Sequence, residues 1–418
     1  MFIFTAKYLT TKTAAELNGF SIMSLEEFVQ QEEASVHTAA DEDEEKHKDE
    51  SGEEEFGFGA KSRPMEDDEM RDYVGRIVDN RDTTDAKQKK KYDIHDMNRD
   101  KYNLPYIHGT NIPIVNDAGK EYDLAALKIQ VMKRPAAGIL KKNEKMQHSG
   151  GKSEQWYNIG LPALKGLVVN EKTGKFVVVD TCPGSGLCKT YCYAMKGNYV
   201  RVAPTSMNLA RILNFLVNHP DKFKSQLKAE IELALAKADD DVQVVIRWHD
   251  AGDFFSPQYM SMAFDIARSF PQVKFYAYTK MADVANSKKP DNFIISFSGD
   301  ANPTQLKKVD LTQIKRSITI PQKMFWDLIV TKGAHTVRDE KGRVHFKSKE
   351  AWDGFKDRMV EAYKIPKESI LLYDQYMALS ETGQLGETPG VWNVVVPPGG
   401  GDNSANDPLV GGTYLMWH

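Results

Sequence analysis

The stretch that decides the fold is "VQVVIRWHDAGDFFSPQYMSMAFDIARSFPQVKFYAYT", residues 242–279. It opens on a short run rich in Val, Ile and Trp (242–248), of the kind that fills a sheet buried on both faces. A polar turn, "HDAGDFF", follows. Ser256-Pro257 then reads as an N-cap with proline at the first helical position, so a helix is expected from Pro257 to Phe270. The stretch ends in a second apolar run, "VKFYAYT" (273–279).

The same alternation extends outward. Downstream, strands are expected at "NFIISFS" (292–298), "RSITIP" (316–321), "SILLYD" (369–374) and "VWNVVVP" (391–397), with a last docked strand in "TYLMW" near the end. Upstream, "TSMNLARILNFLVNH" and "DKFKSQLKAEIELALAKA" carry apolar residues at helical spacing, among them Phe223, Leu227, Ile231 and Leu235. Before these helices, "KFVVVD" (175–180) is expected to be the first strand of the sheet. Short apolar strands separated by crossovers indicate an α/β fold with a parallel sheet. We expect a partial or complete (β/α) barrel, with a doubly wound open sheet as the second choice.

The chain has 418 residues and a formal net charge of −4. That balance gives no electrostatic reason for nucleic acid or a membrane surface as the main partner. No stretch reaches the ~20 apolar residues of a bilayer span. The opening Met-Phe-Ile-Phe is apolar but too short for a signal peptide. Four regions are expected: a small strand-and-helix element at 1–30, an acidic disordered linker at 31–84 ("DEDEEKHKDESGEEE"), a basic segment at 85–155 packing on the main domain, and the α/β domain at 156–418. The acidic and basic segments are the places for a nucleic-acid or host-protein contact. Oligomeric state is not readable.

In parallel α/β folds chemistry gathers at the C-terminal ends of strands, and the unusual residues of this chain follow strand runs. All three of its cysteines, Cys182, Cys188 and Cys192, lie in "DTCPGSGLCKTYCYAMKG" (180–197). Arg247, His249, Asp250, Gly252 and Asp253 follow the next strand, Tyr278, Thr279 and Lys280 the third, and Ser298, Gly299 and Asp300 the fourth. We take His249, Asp250 and Asp253 as candidate catalytic residues, and Arg247, Gly252, Lys280 and Asp300 as candidate cofactor-binding residues.

Three cysteines cannot all pair, and with no export signal a reducing cytoplasm, that of an infected host, is expected; clustered thiols there point to metal or catalysis. Structural zinc sites pair C-x2–4-C units with further ligands. One Gly-rich loop with three thiols suits a [4Fe–4S] cluster whose fourth iron is left for a small-molecule ligand. Zinc with His249 as fourth ligand, and a metal-free core cluster, are the alternatives. There is no nucleophile elbow, Walker A motif or dinucleotide fingerprint.

"TCPGSGLCKTYCYA", "RWHDAGDFFS" and "GGGDNSANDPLVGGTYLMWH" resemble a family of tailed-bacteriophage proteins, gene-product-88-like, over roughly Trp156 to His418. The resemblance implies a phage origin. A second resemblance is to radical S-adenosylmethionine enzymes, which place three cysteines after the first barrel strand and a glycine-containing polar motif after the second. Here the cysteines are spaced C-x5-C-x3-C where those enzymes have C-x3-C-x2-C. That resemblance implies S-adenosylmethionine at the free iron and a cluster-dependent reaction on a small molecule or nucleotide. A non-catalytic protein stapled by a cluster or by zinc is the competing expectation.

Overall fold

The computed structural model describes residues 54–65, 124–135, 138–142, 153–186, 188, 192, 194, 203–320, 336–338, 344–346, 348–386, 391–396 and 403–415. The element expected at 1–30 and most of the acidic and basic segments lie outside these residues. By internal contacts the chain divides into two units, residues 1–51 with 352–367 and residues 52–351 with 368–418.

The second unit is built on an eight-stranded sheet. In chain order its strands are β3 (Glu154–Ile159), β6 (Gln243–Trp248), β7 (Lys274–Thr279), β8 (Phe293–Ser298), β9 (Arg316–Thr319), β12 (Ile370–Leu372), β13 (Trp392–Val396) and β14 (Val410–Leu415). Their spatial order is β12-β13-β14-β9-β8-β7-β6-β3, with every pairing parallel. The chain therefore steps outward from one edge through β9, jumps to the far edge, and returns inward through β13 to β14. Among the described residues β3 and β12 do not pair, so the sheet is open and the closed form of the barrel is not adopted.

The expected α/β parallel sheet is present, but its first strand is not the one anticipated. "KFVVVD" supplies β5 (Phe176–Asp180), which belongs to a separate four-stranded antiparallel sheet. Its partners are β2 (Ala60–Met65) and β4 (Lys165–Val169), and β1 (Glu54–Phe56) forms the edge beyond β2. The first parallel strand is β3, from "EQWYNI". An all-apolar run is compatible with either kind of buried sheet, and the tight connection "NEKTG" between β4 and β5 makes a hairpin, which can only be antiparallel. Residues 54–65, inside the expected linker, are also ordered: "FGFGAK" turns between β1 and β2, with Phe58 and Gly59 at positive φ.

Residues of the parallel strands alternate between two faces. One face carries Ile159, Ile246, Trp248, Phe275, Ala277, Phe293, Ile295 and Phe297 into the main core. It is covered by α2 (Ala203–Asn218), α3 (Pro220–Ala236), α4 (Pro257–Ser269) and α5 (Ala282–Asn286). α4 starts as expected: Ser256 Oγ accepts from Tyr259 N–H at 3.2 Å, and Pro257 is the first residue. The same hydroxyl donates to Phe58 O at 2.7 Å, tying the β1–β2 turn to the helix start.

α1 (Leu124–Met132) packs on α2 and β4. There Arg211 donates to Gln130 O and Oε1, each at 2.8 Å. Glu230 on α3 accepts from Ile139 and Leu140 N–H, placing Ile139 in the core.

The opposite face has different cover. α8 (Tyr373–Glu381) packs its Tyr376 with Trp392, Val394 and Val396 of β13. α9 (Asn403–Asn406) touches both β14 and β7, which are three strands apart. A four-residue helix over a flat sheet would not reach both, since strands lie ~4.8 Å apart; the sheet curls around it. Between these elements α6 (Pro303–Leu306) follows β8, and the hairpin of β10 (Thr336–Arg338) and β11 (Val344–Phe346) follows β9.

In the first unit, most of α7 (Lys349–Tyr363) is described. It buries Trp352, Phe355 and Met359, one helical stripe.

Candidate functional site

Several of the expected strand-end residues come together, although the cysteine loop arrives from the antiparallel sheet. Thr181 O accepts from Asp253 N–H at 2.8 Å, bringing the loop onto the turn after β6. Gly184 O and Pro183 O accept from the main chain and side chain of Asn302, at 2.9 and 3.1 Å, which seats the loop on the turn after β8. Ser185 pairs with Ala301. A Cβ on Gly184 would stand 2.4 Å from Lys280 O, and one on Gly186 2.7 Å from the Ala301 main chain, so only glycine allows this approach.

None of Cys182, Cys188 and Cys192 is in a disulfide, and all three are half-buried. Cys182 Sγ accepts from Leu164 N–H at 3.3 Å. Burial, reinforced by the Asp253 carboxylate and the Cys192 and Cys188 thiols, pushes the Cys182 thiol well above its ordinary range. Burial pushes Cys188 up to about 12; Lys280 and a hydrogen bond from Gly186 N–H oppose this, while Asp300 and Cys192 add to it. Cys192 packs against Ala163, Ala194 and Ala251. The three thiols thus sense one another within one half-buried patch. Among the described residues, no group of three or more His, Cys, Asp or Glu side chains is placed to hold a metal ion.

Lys280 and Asp300 meet as an ion pair at 3.6 Å, largely buried, beside Cys188. Asp253 is deep in the turn. Its Oδ1 accepts from Thr279 Oγ1 and Phe254 N–H, and its Oδ2 from Lys280 N–H, all at 2.7 Å. Burial raises its pKa, opposed by the Lys280 charge and these donors. The carboxylate therefore joins the turns after β6 and β7, while its own N–H holds the cysteine loop. Gly252, at φ 83°, lies against Leu161, where a Cβ would approach that side chain to 2.7 Å.

Asp250 takes a different direction. Its Oδ2 accepts from Asn158 Nδ2 at 2.7 Å, and its N–H donates to Ile159 O at 3.0 Å. Arg247 lies on the same sheet face as Asn158, with its guanidinium 4.9 Å from the Tyr278 ring centroid. His249 does not join this group. Its Nε2 bonds Tyr259 Oη at 2.9 Å, and its ring meets Phe254 edge-on at 4.5 Å, inside the helix-covered core. Burial, then the Arg247 charge, holds this imidazole down to about 3.

Comparison with known proteins bears on the part of the chain that builds this site. The model of one protein family, described as gene product 88, matches residues 137–358, more than half of the chain. The chain belongs to the gene product 88 family. Among its relatives are the Gene 88 proteins of Mycobacterium phage L5 and Mycobacterium phage D29. Each is 30% identical over 149 residues, a match covering 34% of this chain and 56% of the relative. The chain thus spans about half the length of these curated relatives. No solved structure matches it. In this gene product 88 protein the family match takes in the cysteine loop and strands β3 to β9, whereas β12, β13 and β14 lie beyond it.

Two contributors to the site escaped the sequence reading. Asn158 is a lone polar residue near the end of β3, a strand not anticipated. Asn302 caps α6, accepting from Gln305 N–H at 3.0 Å; its second role on the cysteine loop has no local signal. No helix among the described residues is long and apolar enough to cross a membrane.

Proposed function

We propose that this protein is a [4Fe–4S] enzyme acting in the host cytoplasm during phage infection, with Cys182, Cys188 and Cys192 as the cluster ligands. The observation that carries the reading is the convergence of three cysteines, none in a disulfide, in one half-buried patch at the C-terminal ends of a parallel sheet. Thiols that raise one another's pKa are poor neighbours as bare thiolates, and binding to a cationic centre removes that conflict. A cluster is several atoms wide, so its ligands stand further apart than those of a single ion. The donor set fits it: soft sulfur ligands, with main-chain N–H groups of Leu164 and Gly186 directed at sulfur, a feature that tunes such clusters. His249 is engaged with Tyr259, which favours the cluster over zinc held with that histidine.

When bound, such a cluster supplies single electrons to a ligand on its free iron, S-adenosylmethionine in this reading. The protein's own part is positional. Asp253 holds the cysteine loop against β6 and β7, the Lys280–Asp300 pair places a cation beside Cys188, and Asn158, in register with Arg247, bonds Asp250.

Anaerobic purification followed by iron and sulfide analysis tests this. We expect about four irons and four sulfides per chain and absorbance near ~400 nm, lost in Cys182→Ala, Cys188→Ala and Cys192→Ala. A colourless protein holding zinc, or colour retained in any one variant, overturns the assignment of ligands.

A further inference from the structure

The turn after β7 carries a cation against which the cysteine loop packs directly. Lys280 Nζ lies 3.6 Å from Asp300 Oδ1, and the two side chains are only 21% and 12% exposed. That separation is longer than a hydrogen bond, so the contact is electrostatic. A pair withdrawn from water in this way costs desolvation energy and is weak evidence for a stabilising role. Its placement points to the loop instead.

Both members of the pair are held by main-chain hydrogen bonds. Lys280 N–H donates to Asp253 Oδ2 at 2.7 Å. Asp300 sits in the turn after β8, where Gly299 N–H donates to Ser317 O at 2.8 Å and Ala301 N–H to Ser298 O at 3.2 Å. The pair thus joins the ends of two neighbouring parallel strands. The cysteine loop runs against both ends. A Cβ on Gly184 would stand 3.0 Å from Lys280 Cβ, and Ser185 is bridged to Ala301. Cys188 follows shortly after in the chain. Of the charged groups acting on its sulfur, Lys280 acts most strongly and Asp300 next, in the opposite sense.

We propose that the Lys280 ammonium, moderated by the Asp300 carboxylate, sets the reduction potential of a cluster held by Cys182, Cys188 and Cys192. This rests on the cluster reading above and adds the residues that tune it. A [4Fe–4S] core with three thiolates is already anionic, and reduction adds one more negative charge. A nearby cation favours the reduced state and a nearby anion opposes it, more strongly where water is excluded. Both side chains are mostly out of water, so salt and solvent screen neither charge fully. Opposite effects from the two residues of one ion pair are the signature. A pair that only held the loop would lose stability or cluster content with either replacement, and would not move a potential in two directions.

Anaerobic redox titration of the full chain with dithionite, followed by visible absorbance and electron paramagnetic resonance, is the test. Lys280→Met should lower the midpoint potential, shifting the reduction equilibrium at least tenfold, or ~59 mV for one electron. Asp300→Asn should raise it. Lys280→Arg, which keeps the charge, should stay near the wild type. Unchanged potentials, or shifts of the same sign in the Met and Asn variants, overturn the proposal and leave a loaded cluster standing. If Lys280→Met assembles no cluster, Asp300→Asn decides alone, and a potential that is unchanged or lowered overturns the proposal. A wild-type chain without iron and sulfide overturns both readings, so metal analysis of the same samples tells the two failures apart.

Discussion

His249 occupies a left-handed backbone conformation, φ 65°, at the point where β6 turns into the HDAGD loop. Such a conformation is costly for a residue with a Cβ and is held by surrounding packing. Here the packing is aromatic: Phe254, Tyr259 and the Trp248 strand end enclose the ring. The consequence is a pH-dependent stability whose sign is fixed. The unfolded chain takes up a proton near 6.5, while the folded protein resists until about 3. Protons therefore favour the unfolded chain throughout that window, and stability falls as pH drops through it. Between pH 7 and pH 5 the loss from this group is about 2 kcal/mol. Urea unfolding of the wild type and of His249→Asn, a residue that tolerates positive φ, would isolate it. An unchanged pH slope in the variant would show that His249 is not the source.

The cysteine loop is an element whose placement depends on absent side chains. Its backbone passes so close to β7 and β8 that Gly184 faces the Lys280 carbonyl and Gly186 the Ala301 main chain. Backbone neighbours cannot rotate aside as a flexible side chain can. Gly184→Ala should therefore cost roughly 1–3 kcal/mol, as overpacking does, read as a lower thermal midpoint. Under the proposed function it should also lower the cluster content. A variant with wild-type stability and full iron would mean that the loop is not seated as described. The sequence showed glycines between cysteines and suggested a tight turn around a bound centre. What they provide at these two positions is close approach to other strands, which no local pattern encodes.

At the scale of the whole molecule, the curled sheet sets a gradient of protection. β6, β7 and β8 lie in its interior, with Val245, Ile246, Phe275, Ala277 and Phe297 fully buried. β12 is an edge strand of three residues paired on one side. Native-state hydrogen exchange should be slowest in 245–248, 275–277 and 295–297, and faster by orders of magnitude in 370–372. Equal protection across the sheet would contradict the open order.

The sequence by itself determined the α/β class, the position of most parallel strands and the Ser256–Pro257 helix start. These follow from local periodicity and capping chemistry, which act over a few residues. It also marked the strand ends where Lys280 and Asp300 meet, because parallel strands place their C-terminal ends on one side; Cys188 reaches them from an antiparallel strand. Strand order was decided only in three dimensions. β5 was an apolar run like the others; its hairpin with β4 makes it antiparallel, and its other partner, β2, lies more than a hundred residues upstream. Asn158 and Asp250 are 92 residues apart, and their hydrogen bond exists because β3 pairs with β6. Long-range pairing is governed by the free energy of the whole core, and no short stretch of sequence contains that sum.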